Sequence, residues 1–232
     1  MLTRVAAPTP CSAQAARGVA GERSPVQNGS SDWTSAPIVA GMRIVGPDTS
    51  PELLAELAAH RKWNVRKRAA QHVNTPPATL TALTKDRSRE VREAVARNDN
   101  TPTEALAILA SDGDWTVRAC TARHPNAATE LLTELAQDGH YLVAASVAGN
   151  PKTDIAVLEW LASDEIELVR FSAAGNPRLP LDRLALLAYD DDSTVSDAAR
   201  RNERYDDIPE ELHVAAYLEI AAYNETVTVQ AG

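Results

Sequence analysis

Val65-Arg66, Val91-Arg92, Val117-Arg118, Val143-Ala144, Val169-Arg170 and Val195-Ser196 follow one another at a constant 26-residue interval, with no insertion. A fixed period of this size is the mark of a stacked-repeat chain, and it decides the fold. Working outward from the valine, leucine stands eight residues earlier in every unit: Leu57, Leu83, Leu109, Leu135, Leu161 and Leu187. It stands eleven earlier as well, at Leu54, Leu80, Leu106, Leu132, Leu158 and Leu184. Two leucines three apart share one face of a helix, so each unit opens with a short helix of roughly ten residues. Thr101-Pro102-Thr103-Glu104 reads as an N-cap, a proline at the first helical position and a capping-box glutamate.

Five residues before the valine comes an acid in five units, Asp86, Asp112, Asp138, Asp164 and Asp190, with His60 in the first. It begins a link into a second helix whose valine and following small residues form a narrow apolar face. His72, Asn98, His124, Asn150, Asn176 and Asn202 then end that helix. The pairs Asn150-Pro151 and Asn176-Pro177 fit a stop, because asparagine tolerates left-handed backbone and proline disfavours helix before it.

The stretches from Asp112 to Pro125 (D-x-D-W-T-V-R-A-C-T-A-R-H-P) and from Val169 to Ala188 closely resemble the leucine-rich repeat variant, and the Asp-to-Val-Arg half resembles the second helix of a HEAT repeat. The resemblance spans about Thr49 to Tyr205. It implies an all-α, right-handed solenoid of six two-helix units, often with one α and one 3₁₀ helix in each. It also implies that the acid and the arginine after the valine pair structurally, within a unit or between neighbours. Some members of that family carry an iron–sulfur cluster on a cysteine-rich leader. Here the leader holds only Cys11, so no cofactor is expected.

The units cannot bury their leucines singly, so stability must come from neighbours. Residues 1–46, rich in Pro, Ser, Ala and Gly, read as a disordered tail in which Ile38-Val39-Ala40 and Arg43-Ile44-Val45 form a strand or clip; Met42 is an alternative start. Residues 47–207 are the solenoid, 208–223 a capping helix beginning at Ile208-Pro209, and 224–232 a frayed tail. Two cysteines give no disulfide framework, and neither a spanning run nor a secretory leader is visible, so a cytoplasmic protein with no membrane partner is expected. Residues 51–125 hold 12 Lys/Arg against 9 Asp/Glu, whereas residues 126–232 hold 7 against 20. In a solenoid this becomes a gradient along the axis, serving either solvation or the steering of a partner.

No phosphate loop, nucleophile elbow or zinc-protease motif is present. Cys120 and His124 share a helix at a metal-ligand spacing, but no further Cys/His completes a site. Asp190-Asp191-Asp192 reads as a solvated link rather than a catalytic pair. Trp63, Arg89, Trp115 and Tyr141 occupy the position two before the valine in successive units, about 160° from it on the helix. They form the candidate partner-binding row, either as a cation–π ladder or as rings covering their own loops. The expectation is a non-catalytic scaffold for a protein or peptide, about 50–60 Å long at roughly 8–10 Å per unit. The alternative is a HEAT-like nucleic-acid binder using the basic first half. The acidic second half opposes that reading, and an enzyme of the HEAT-like lyase or DNA glycosylase type ranks last.

Overall fold

The computed structural model describes residues 46–230, with side chains as far as 222. The expected tail through residue 45, its clip, Met42 and Cys11 lie outside the described residues. Among the described residues the structure is all-helical. Six units each contribute a pair: α1 Pro51–Ala58 with α2 Trp63–Ala70, α3 Pro77–Leu83 with α4 Arg89–Ala96, and α5 Thr103–Ala110 with α6 Trp115–Arg123. The series continues as α7 Thr129–Ala136 with α8 Tyr141–Ala148, α9 Ile155–Leu161 with α10 Glu167–Ala174, and α11 Leu181–Leu187 with α12 Ser193–Arg200. Both helices of every unit are α-helical; the first is 7 or 8 residues long. The 3₁₀ alternation that the family resemblance implied is absent from these pairs.

Helices this short are not stable alone, so packing must hold them. All six leucines from Leu54 to Leu184 are completely buried, as are five of the six repeat valines, with Val65 at the open end slightly exposed. Burying a leucine contributes about 1.5–3 kcal/mol. The seam falls into three consecutive clusters: one runs from Leu106 to Ala216, a second includes Leu80, Val91, Leu109 and Val117, and a third holds Leu54, Leu57, Val65 and Ala69. Successive second helices pack directly on one another through Ala and Ser, as α8 does on α6 and α10. First helices meet their counterparts far less.

Polar side chains tie each unit to the next on two edges. On the link edge, Arg66, Arg92, Arg118 and Arg170 each fork onto the aspartate of the following unit. Nε donates to Oδ2 of Asp86, Asp112, Asp138 and Asp190 at 2.5–2.7 Å, and Nη2 donates to Oδ1 at 2.8–3.0 Å. Nη1 turns back to a carbonyl of the arginine's own link, at His60, Asp86, Asp112 or Asp164. The same aspartates accept the amide two residues on, at Ser88, Asp114, His140 and Asp192. His60 keeps that amide-accepting role toward Lys62 in the first unit, where no arginine precedes it.

On the opposite edge, the helix-ending asparagine reaches back. Asn98 Nδ2 donates to the carbonyls of Ala70 and His72, and Asn150, Asn176 and Asn202 repeat the pattern one unit further each time. These are carbonyls that a helix C-terminus leaves without an intrahelical donor. Histidine substitutes for asparagine with one backward donor bond in place of two, and like Asn98 Oδ1 toward Asn100 it accepts the amide two residues on. His124 Nδ1 accepts the Asn126 amide, so its proton sits on Nε2 and is donated to the Asn98 carbonyl at 2.9 Å. Thr101 does not cap α5, contrary to the sequence reading. It is wholly buried and donates to the Val95 carbonyl at 2.6 Å, and the cap position falls to Pro102. Thr75 and Thr153 act likewise on Ala69 and Val147.

A 3₁₀ turn at Tyr205–Asp207 leads into α13, Glu210–Gln230. This helix closes the last unit with Ile208 and Ala216 buried, and Tyr189, Tyr205 and His213 in edge-to-face contact. It continues past Tyr223, through most of the stretch expected to fray. No described helix is long and apolar enough to cross a membrane.

The link-edge fork sets a pH dependence. Asp138 is held below the ordinary carboxylate range, mainly by the hydrogen bond from Arg118 working against burial. Burial pushes Asp86 upward, but the Arg66 fork and the Ser88 amide more than reverse it. A depressed folded-state value means that the stabilisation is complete above the unfolded value of about 3.9 and is lost as pH falls below it. Asp138→Asn should therefore cost about 3 kcal/mol at pH 7 in urea unfolding, with the gap to wild type closing below about pH 4. A gap independent of pH would refute the ion-pair account. Unit 4 lacks the arginine: Ala144 faces Asp164, whose Oδ1 accepts only the Ile166 amide. Ala144→Arg should restore the rung and raise stability by about 1 kcal/mol, seen as a higher Tm, whereas Ala144→Met should not.

Candidate functional site

The residue two before each valine is the first of its second helix, and the link brings it to the surface beside the arginine–aspartate edge. Trp63, Trp115 and Tyr141 are 47, 37 and 47% exposed, and the Arg89 side chain 48%. Large apolar side chains are exposed elsewhere too, Trp160 at 52% and Phe171 at 41%, so what sets this row apart is its register and not its exposure alone. The row continues as Glu167 and Ser193 in the last two units, both exposed.

The row is organised by ring stacking. Trp115 lies on the His140 imidazole of the next unit, with centroids 4.2 Å apart and planes 5° from parallel. His140 in turn lies beside Tyr141 at 5.2 Å and 12°. His140 is fixed from behind, since its Nδ1 accepts the Leu142 amide at 3.3 Å as the N-cap of α8. His140 is not among the row residues that the sequence offered. The signal was present, because His140 directly precedes Tyr141 and stands one repeat, less one residue, beyond Trp115.

Arg89 is not a cation–π rung. Its guanidinium turns to carboxylates, Asp114 at 3.5 Å and Glu90 at 3.8 Å. Coulomb attraction to two acids outweighs the weaker pull of an exposed ring face. Between Trp63 and Arg89 lies an open groove of about 670 Å³ lined by Arg61, Lys62, Trp63, Arg87, Arg89 and Glu90, among others. Arg87 crosses it to donate to the Arg61 carbonyl at 3.3 Å. The same positions become Glu165 and Glu167 in unit 5, and Asp191 and Asp192 in unit 6. Thus the charge gradient of the chain is repeated along this edge.

The other candidates resolve into structural roles. Both ring nitrogens of His124 are engaged by backbone, and the Cys120 thiol, pushed up mainly by burial, accepts from Arg97 Nε at 3.1 Å. No group of three metal-ligating residues occurs among the described residues. Asp190 takes the Arg170 fork and Asp192 caps α12, so the triple aspartate is partly architectural.

No curated protein matches the chain. Among solved structures, one described as a leucine-rich repeat variant with a novel repetitive structural motif is 27% identical, covering 72% of this chain and 80% of its own, with a TM-score of 0.39. An engineered protein is 20% identical, covering 65% of this chain and 93% of its own, with a TM-score of 0.41. Residues 89–114, from Arg89 on α4 through the link before α6, match the model of the family described as leucine rich repeat variant. That stretch is similar to a leucine rich repeat variant repeat, and the 26-residue period carries its leucines and valine through the rest of the stack, and its aspartate through all units but the first.

Proposed function

We propose that the protein is a non-catalytic scaffold that binds a protein or peptide partner along the link edge, through Trp63, Arg89, Trp115 and Tyr141 with His140. The observation that carries this reading is the Trp115–His140–Tyr141 stack. It spends three rings on the surface of a fold whose core needs none of them. Exposed, pre-ordered aromatic rings supply contact area at little entropic cost, which is why Trp and Tyr dominate binding anchors. The partly buried free thiol of Cys120 suits a reducing, cytoplasmic setting.

A second reading, nucleic-acid binding, draws on the basic groove of Arg61, Lys62, Arg87 and Arg89. It is the weaker one, because Glu165, Glu167, Asp191 and Asp192 on the same edge would repel a phosphate backbone.

The test compares wild type with a Trp63→Ala/Trp115→Ala/Tyr141→Ala variant in affinity capture from native lysate. These side chains lie outside the seam, so far-UV circular dichroism should be unchanged and each substitution should cost about 1 kcal/mol or less. Partners captured by wild type should be lost by the variant. Retention of the same partners by a folded variant would overturn the proposal.

A further inference from the structure

Resting on that reading, we infer that the link edge receives a proline-rich segment in the polyproline II conformation, with its acids toward unit 1 and its bases toward unit 6.

The first argument is spacing. The two stacking steps, 4.2 and 5.2 Å, bound the separation of the Trp115 and Tyr141 rings at about 9.4 Å. Consecutive helices in such a stack repeat at about 8–10 Å, in agreement. A ligand that meets one rung per unit must present a side chain on the same face at that interval. A β-strand presents same-face residues at about 6.7 or 13 Å, so it falls out of step by the second rung. Polyproline II has three residues per turn and about 3.1 Å per residue, giving about 9.3 Å. Its third residue returns to the same face at each unit, and proline-rich segments dock on aromatic-lined surfaces, here against the outward edges of the stacked rings.

The second argument is charge. Units 1 and 2 present Arg61, Lys62 and Arg87 around the groove of about 670 Å³, which Arg89 and Glu90 also line, Arg89 being paired there with Glu90 and with Asp114. Units 3 and 4 present the ring stack. Units 5 and 6 present Glu165, Glu167, Asp191 and the partly exposed Asp192, together with Asp164, which faces Ala144 where other units supply an arginine. The complement is therefore an acidic, then neutral, then basic segment of about 18 residues, three per unit. Such a segment is already extended before it binds, so little chain entropy is lost on docking.

The experiment uses the full chain and a synthetic peptide of six Xaa-Pro-Pro triplets, with Xaa as Glu, Glu, Pro, Pro, Lys and Lys. One control has the same composition with charges at alternate positions, the register of a strand. A second interleaves the Glu and Lys triplets. A single-stranded oligothymidine of matching length serves as competitor. The block-ordered triplet peptide should bind about tenfold more tightly than either control by calorimetry. It should lose about tenfold in Trp115→Ala/Tyr141→Ala and in Arg87→Glu/Arg89→Glu, and should weaken with added salt. Equal binding of all three peptides, lost together in the ring variant, would keep the row as a binding surface and overturn the triplet register and the charge order. Binding that the ring variant leaves unchanged would overturn the row itself. Preference for the strand-register peptide, displacement by oligothymidine at lower concentration than by the peptide, or no binding at all would each overturn the inference.

Discussion

Every helix in this stack is too short to satisfy its own ends, and that deficit dictates where the polar residues stand. A helix of 8 residues leaves about half its carbonyls without an intrahelical donor. Here the donors come from the neighbour: Asn98, Asn150, Asn176 and Asn202 each reach back to two carbonyls of the unit before, and Thr101 and Thr153 each reach to a third. The leucine seam supplies the driving force, but apolar packing alone would tolerate sliding of one unit over the next. Directional bonds at both edges fix the 26-residue register. They are buried or half-buried, so leaving one unmade costs about as much as a lost leucine contact.

The period made the architecture legible. Leucines at two fixed offsets and a valine at a third name the buried face directly, and all of them lie in the seam. The polar ladder was only half legible. The arginine–aspartate relation was expected, but the sequence left open whether it closed within a unit or between units; the fork closes forward, from Arg118 to Asp138 and not to Asp112. The asparagines were read as helix terminators on local backbone grounds, yet their larger role is a bond to residues 26 and 28 earlier. Thr101 misled for the same reason. A threonine before proline looks like a cap in one dimension, and only the stack shows a buried carbonyl, that of Val95, within its reach. Local propensity reasoning has no access to an acceptor that belongs to the preceding helix.

The candidate row was legible as positions but not as chemistry. Trp63, Arg89, Trp115 and Tyr141 share an offset, and helical geometry alone keeps that offset out of the seam. What the offset could not reveal was the ring between two of them. His140 sits at the cap of α8, and its imidazole is turned onto Trp115 because the cap bond to Leu142 sets its plane. Arg89 shows the opposite case: a side chain in the aromatic register is withdrawn by Asp114 of the next unit.

These constraints also explain why the link edge can vary in sequence while the opposite edge cannot. On the opposite edge Asn98, Asn126, Asn150, Arg178 and Arg204 are committed to main-chain carbonyls of the preceding unit, so changing them alters the stack. The second helices touch one another through alanine, serine and glycine, which leaves little room for variation. At the link, by contrast, the aspartate and the arginine carry the structural duty, and the residue after the aspartate is free. It is Arg61 after His60, then Arg87, Gly113, Gly139, Glu165 and Asp191. Two positions further on, the first residue of the second helix lies outside the seam and differs from unit to unit. A surface in which fixed and free residues alternate along a rigid axis can be rewritten rung by rung without disturbing the stack. This chain uses that freedom to run from arginine through stacked rings to aspartate along a single edge.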